Sequence, residues 1–190
     1  MPKLIYSMGV SLDGFIAAPG GAIDWTAPDE ELHRFHNEQA RSAAAHLYGR
    51  GLYEVMRFWE TREDEPEAHE IEKDFARIWK ATPKLVFSTT LDDVEGTNTR
   101  LVKGDAVAEI ARLKQEPGEG ELAVGGAGLA ATCIRAGLVD EYRVFVNPVI
   151  LGAGTPFLPP LEQRIGLELV ETRTFGSRVV YARYSSNSSS

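Results

Sequence analysis

With 190 residues, 43% of them hydrophobic and 25% charged, the chain has the size and balance of one soluble globular domain with a substantial core. Its formal charge of −8 argues against a nucleic-acid-binding surface, although a nest of N–H groups with one or two arginines can hold phosphate on an acidic protein. The single cysteine, Cys133, excludes an intrachain disulfide and suits a cytoplasmic location, and no stretch reads as a secretory leader or a membrane span.

In chain order, Lys3–Gly9 reads as a near-continuous apolar strand, followed by a long glycine-rich loop, Ser11–Gly21. Pro28-Asp-Glu-Glu31 opens a helix that runs to about Ala44, with acids in its first turn where the helix dipole favours them. A short strand, His46–Gly49, leads into a short helix, Gly51–Met56. The acidic segment Glu60–Glu72 reads as exposed, and Phe75–Trp79 as the end of a helix before Thr82-Pro83. Strands follow at Lys84–Ser88 and Asn98–Lys103, a helix at Asp105–Gln115, a strand at Glu121–Gly125, a helix at Ala127–Ala136 and a strand at Glu141–Asn147. Cys133 falls on the packed face of its helix and reads as a buried thiol. Leu167–Phe175 and Arg178–Tyr184 form a closing antiparallel hairpin about Gly176-Ser177. Strands alternating with helices give an α/β fold, with a central, mostly parallel sheet covered on both faces. Residues 1–184 are expected to form a single domain, and 185–190 a polar, mobile tail.

Two glycine stretches, Tyr48-Gly-Arg-Gly-Leu52 and Val124-Gly-Gly-Ala-Gly-Leu129, sit where an apolar run gives way to a helical one. Glycine there admits a close ligand, and the helix start offers free N–H groups to an anion. One such turn is usually only a turn; two point to a phosphate-rich cofactor, a nicotinamide dinucleotide. Arg50 suits a bidentate phosphate contact but also a turn cap. Ser88 and Thr89 place hydroxyls at a strand's C-terminal end, where open α/β sheets bind ligands, though they equally suit a cap.

These motifs, with Ser11-Leu-Asp-Gly-Phe-Ile-Ala17, Val86-Phe-Ser-Thr-Thr90 and Val139-Asp-Glu-Tyr-Arg143 leading to Pro148-Val-Ile-Leu-Gly152, resemble the dihydrofolate-reductase-like superfamily. The resemblance spans residues 4 to about 157 and is nearest to stand-alone relatives of the reductase domain of the bifunctional riboflavin-biosynthesis deaminase–reductase. It implies a dihydrofolate-reductase-like three-layer fold, a homodimer, and an NADPH-dependent reductase of a pyrimidine or pterin-type small molecule. Gly49, Arg50 and Gly51 would then cover the pyrophosphate, and Gly125, Gly126, Ala127 and Gly128 would form the second phosphate turn. Ser88 and Thr89 would meet the 2′-phosphate, and Ala17 with the Asp13-Gly14 loop would lie over the nicotinamide. Alternatives are a dihydrofolate reductase and a non-catalytic nucleotide-binding protein.

On the substrate side the resemblance puts Glu30 at the proton-donating carboxyl of dihydrofolate reductases, or Asp29 after a one-residue shift. Burial would raise the pKa of such a group. The same acids also suit a helix N-terminus. Asp13 could bond a pyrimidine or ribityl group, or serve as a turn residue before Gly14. His33 and His36 have nothing nearby to complete a metal site and read as a solvated helix face. The His-x-Glu and Pro-Cys-x-x-Cys pattern of a zinc deaminase is missing, so any deamination would belong to another protein.

Overall fold

Aliphatic runs with β-branched residues make strands that bury both faces, which is what a helix-covered parallel sheet requires. In the computed structural model, which describes residues 1–186, these are β1 (Lys3–Val10), β3 (Ala43–Gly49), β4 (Lys84–Phe87), β6 (Glu121–Gly125) and β7 (Glu141–Val146), while β5 (Thr99–Val102), with Arg100 exposed, forms the edge beside β4. The helices between them are α1 (Glu30–Arg41), α2 (Arg50–Met56), α3 (Glu70–Ala81), α4 (Ala106–Gln115) and α5 (Ala127–Arg135). β9 (Leu167–Thr174) and β10 (Val180–Ser186) close the chain, and β2 (Phe15–Ala17) pairs with β8 (Thr155–Pro156) as a separate two-stranded ribbon.

The main sheet has the order β5-β4-β3-β6-β1-β7-β10-β9, and β10 alone runs antiparallel to its neighbours. β1 is central, with Tyr6 opposite Val124 on one side and Tyr142 on the other. The alternation of β1 splits its two faces. Leu4, Tyr6 and Val10 join Ile110 and Leu113 of α4 and Leu129, Ala130 and Cys133 of α5 in the larger core. Ile5, Ser7 and Gly9 face the opposite layer, which α1, α2 and α3 supply. Full burial of a side chain such as Leu47 or Ile110 contributes roughly 1.5–3 kcal/mol. Cys133 is buried, and desolvation pushes its thiol up to about 11, as a packed and inert cysteine requires.

Several boundaries differ from the sequence reading. The helix expected to reach Ala44 stops at Arg41, because the Ser42 N–H closes it onto Gln39 and Ala40 and Ala43–Ala45 pair with β6. Alanine favours helix, but strand pairing overrides that preference. The segment read as exposed, Glu60–Glu72, is largely folded. His69 and Glu72 form a capping box that starts α3 at Glu70, Ala68 and Ile71 are buried, and Arg62 pairs with Glu65 and Glu72. The β2–β8 ribbon lies inside what reads as loop. β10 extends past Tyr184, since Ser185 pairs with Glu141 and Ser186 with Leu167. The rest of the expected tail, 187–190, lies outside the described residues. Among the described residues no helix is long and apolar enough to cross a membrane.

Candidate active site

The parallel strands put their C-terminal ends on one edge of the sheet, and the order reverses around β1, the arrangement that opens a ligand crevice in α/β sheets. There β3 and β6 lie side by side, Tyr48 opposite Gly125, and each passes through glycine directly into a helix. Gly126 has φ 93°, a conformation that L side chains rarely adopt, and its missing Cβ would sit 3.8 Å from the Gly49 nitrogen. A Cβ on Gly125 would collide with Leu52, so this glycine also lets α2 close over β6.

Helix capping separates these two helices from the rest. Asp29 caps α1, His69 caps α3 and Asp105 caps α4, each through a side chain that accepts a backbone N–H. Gly49 before α2 and Gly126 before α5 carry no side chain and give no such bond. The first-turn donors of α5, Ala127 and Gly128 included, therefore face the crevice without a capping side chain, and Gly51 and Gly128 border open space. Such a cradle fits a pyrophosphate.

Arg50, Ser88 and Thr89 come together although 38 residues separate the first two. Arg50 donates to the Thr90 hydroxyl at 3.2 Å and to Glu54 at 2.8 Å, and its side chain is exposed. The Ser88 hydroxyl accepts from the backbone N–H groups of Thr90 and Leu91, both at 3.2 Å, so it braces the turn after β4. Thr89 is exposed at the apex of that turn.

Asp13 is exposed and clamps two loops. Its carboxylate accepts from Leu151 N at 3.1 Å and Gly152 N at 2.7 Å. The Ser11 hydroxyl, then these backbone donors, hold its pKa below the usual carboxylate value. Ala17 lies on β2 opposite Thr155, where Gly154, with φ 146°, lets the chain pass against the Ala17 carbonyl.

Glu30 does not have the environment expected of a buried acid. It is an exposed first-turn residue paired with Arg34, which lowers its pKa where a neutral-pH donor needs it raised. Asp29 is engaged as the cap of α1, accepting from Leu32 N at 2.9 Å.

His33 and His36 correct the sequence reading as well, because they face inward. The His36 ring lies 4.5 Å from that of Phe145, and the His33 ring lies 6.1 Å from those of Trp59 and Phe75. Desolvation, then the neighbouring His33, pushes His36 down to about 4, so it is neutral at pH 7. The helical spacing of three was visible in sequence. What identifies the face is that Leu32 and Phe35 pack with Phe145 and Phe175, which leaves His33 and His36 turned toward the neighbouring groove.

That groove has two chambers. The outer, of about 700 Å³, lies between the start of α1 and the Met56–Trp59 and His69–Phe75 segments. The inner, of about 310 Å³, runs beneath α1 over the centre of the sheet. They share His36, Met56 and Phe75 as walls. Asp29 and Glu30, the candidate acids, line the outer chamber, and Tyr48, Leu52, Val124 and Gly125 of the glycine stretches line the inner one, whereas Met56, Trp59 and Phe75 lie outside the motifs that the sequence singles out. Among the described residues no cluster of three or more His, Cys, Asp or Glu could hold a metal.

The chain is 32% identical over 182 residues to the uncharacterized protein YyaP of Bacillus subtilis (strain 168), covering 96% of this chain and 94% of that protein. Among solved structures it resembles a protein of Shewanella sp. PV-4 named for riboflavin biosynthesis, with a TM-score of 0.77, 22% identity, and 98% and 99% of the two chains covered. The fold is shared with the diaminohydroxyphosphoribosylaminopyrimidine deaminase/5-amino-6-(5-phosphoribosylamino)uracil reductase of Thermotoga maritima, with a TM-score of 0.67 and 15% identity. The match covers 97% of this chain but 56% of that longer protein. It is shared also with the Enterococcus faecalis dihydrofolate reductase complexed with NADP(H), with a TM-score of 0.63, 16% identity, and 97% and 96% of the chains covered. These likenesses make the architecture dihydrofolate-reductase-like. The family of the RibD C-terminal domain matches residues 2–181, and the chain belongs to it.

Proposed function

We propose that this protein is an NADPH-dependent reductase of a heteroaromatic substrate, of the pyrimidine-reductase type found in riboflavin biosynthesis, working as a cytoplasmic homodimer. One observation carries the reading. The two helices that follow adjacent glycine-ended strands have no capping side chain, whereas the other three α-helices are capped by their own residues. Family membership supports the reductase class.

Gly49, Arg50 and Gly51 would hold the pyrophosphate from the α2 side, and Gly125, Gly126, Ala127 and Gly128 from the α5 side. Arg50, with Ser88 and Thr89, would take the 2′-phosphate through charge-assisted hydrogen bonds. Ala17 and the Asp13 loop would border the nicotinamide, with the groove beside α1 for the substrate. The bound cofactor would supply a hydride to this groove. The aromatic walls, Trp59 and Phe75 among them, would exclude water and stack on a planar ring. Asp13 would set the loop that covers the site. Glu30, engaged by Arg34 in solvent, gives the dihydrofolate-type mechanism little support.

The test is NADPH oxidation with pyrimidine and pterin substrates, alongside NADPH titration and light scattering for the dimer. Tight NADPH binding with turnover of a pyrimidine substrate is expected. Binding without turnover of any of them would favour a nucleotide-binding protein without catalysis, and no binding would refute the reading.

A further inference from the structure

The groove beside α1 offers no free cation among the described residues. No lysine or arginine lines the outer chamber, and the inner chamber has Arg143 alone. Arg143 bridges Glu121 at 2.6 Å and Glu141 at 2.7 Å, so its charge is already neutralised. Arginines next to the lining residues are committed in the same way. Arg34 pairs with Glu30, Arg62 with Glu65 and Glu72, and Arg57 with Glu95 at 2.6 Å. Arg135 and Arg164 border a separate cavity at the far end of α5, and Arg178 lies in the β9–β10 turn; none of the three lines either chamber.

The histidines do not supply the missing charge. Desolvation holds His33 below its ordinary value and, together with His33 itself, brings His36 to about 4. His69 is engaged as the cap of α3, its Nδ1 accepting from Ile71 N at 3.4 Å. Acids stand in the outer chamber instead, namely Asp29, Glu30 and Glu72. Asp29 caps α1, whose first N–H groups are thereby taken from any incoming anion, and Glu30 and Glu31 add negative charge to the same turn. The cofactor side is built the other way, with α2 and α5 lacking capping side chains and Arg50 exposed beside the turn after β4. The two sides of one crevice thus differ in the charge that they accept.

A phosphate is held by arginine forks, lysines or uncapped helix N-termini. The Thermotoga maritima protein of the same fold is named for a phosphoribosylamino substrate. The groove here presents aromatic walls, Phe58, Trp59 and Phe75, and the neutral polar groups of Ser7 and Gln39. We propose that the substrate of this groove carries no phosphate, so that the chain takes the ribosyl form of such a pyrimidine, or a simpler uncharged analogue, and rejects the phosphoribosyl form. The proposal rests on the reductase reading for what the ring undergoes, but the discrimination is measurable by binding alone.

The probes are 5-amino-6-(ribosylamino)uracil and 5-amino-6-(5-phosphoribosylamino)uracil, which differ by the phosphate. Tryptophan fluorescence reads both affinities, with and without saturating NADPH, since Trp59 lines the outer chamber. The ribosyl form should bind at least about tenfold more tightly. Glu30→Arg puts a cation on the chamber wall and should narrow that preference about threefold. Glu38→Arg makes the same change of charge on α1 but borders a different cavity, and should leave the preference unchanged. Melting curves establish that both variants fold. Equal or tighter binding of the phosphorylated probe, no binding of the ribosyl probe, or equal narrowing by the two variants would each overturn the proposal; the last would trace the preference to the net charge of −8. Failure of the wild-type protein to bind NADPH would sink the reductase reading alone, since the two probes still report the groove.

Discussion

Replacing Gly126 with alanine should separate fold from cofactor binding. Gly126 has φ 93° and ψ 128°, and holding an L residue there costs roughly 1–3 kcal/mol. The added methyl would lie 3.4 Å from Leu52 Cβ and 3.8 Å from Gly49 N, ordinary contacts, so the cost is one of dihedral strain without collision. Domains of this kind hold about 5–15 kcal/mol of stability, and Gly126→Ala should therefore stay folded. At about 2–4 °C per kcal/mol for a chain of this length, its Tm should fall by roughly 2–12 °C. NADPH affinity should fall by more than about tenfold, because the methyl narrows the cleft between the two glycine turns, where the pyrophosphate must approach the backbone. Gly137→Ala is the control. Gly137 also has positive φ, 67°, but lies beyond the far end of α5 with open space around it. It should lower the Tm by a comparable amount and leave NADPH binding intact. Calorimetry gives the melting points, and cofactor fluorescence gives the affinities. Wild-type affinity in Gly126→Ala, or equal loss in Gly137→Ala, would refute the reasoning.

Arg50→Ala should weaken both cofactors, NADPH about tenfold and NADH less, since Arg50 borders the pyrophosphate cradle and also reaches toward the Ser88–Thr90 turn; equal losses in paired titrations would move the 2′-phosphate elsewhere. Glu30→Gln should leave the pH–rate profile superimposed on that of the wild type, because Glu30 is solvent-exposed and engaged by Arg34; a selective loss at neutral pH would restore it as the proton donor. His36 and His46 both have folded-state values of about 4, below the unfolded 6.5, so the unfolded chain takes up protons first as pH falls. Their contribution to stability is complete above about pH 6.5 and is lost as pH drops toward 4, by roughly 3 kcal/mol for His46; urea midpoints across that window should fall, and less steeply in His46→Phe. Asp13→Asn removes the charged acceptor for Leu151 N and Gly152 N and should speed proteolytic nicking in the loop between β7 and β8, with an unchanged nicking rate counting against the clamp.

The centre of the sheet was legible in the sequence because strands such as β1 and β4 are apolar over most of their length and turn residues separate them from the helices. The two glycine turns were legible for the same local reason. The register that brings them together, with Tyr48 opposite Gly125, depends on β6 inserting between β3 and β1, which no local pattern records. The β2–β8 ribbon was hidden because strands of three and two residues show no periodicity. His46 sat in plain view as the start of a strand, but the burial of its Nε2 without a partner depends on neighbouring strands such as β6, whose Ala123 lies across from it 77 residues away in sequence. Glu30 shows the converse. Its place near the start of a helix was correctly read, but Arg34 one turn later decides its charge environment.

The two edges of the sheet handle polar groups in opposite ways. At the edge where the central parallel strands begin, charges are matched within the chain. Asp140 accepts from Leu4 N at 2.7 Å and pairs with Lys114, and Arg143 bridges Glu121 and Glu141. Lys114 and Arg143 therefore already have carboxylate acceptors of their own. At the edge where those strands end, Gly49 and Gly126 occupy the positions where a capping side chain would have satisfied the helix donors. Capping by Ser, Thr, Asn or Asp typically adds about 1 kcal/mol over alanine, and glycine falls only a few tenths short of the good caps. The chain therefore gives up little stability by leaving these donors without side-chain caps, provided water or a ligand reaches them. A capping carboxylate would not only occupy the donors but repel a phosphate. Glycine at both turns is thus the choice that keeps the fold and leaves a positive, uncrowded crevice in a protein of net charge −8. On that argument an anion would bind here because the backbone dipoles are local and oriented, whatever the sign of the whole molecule.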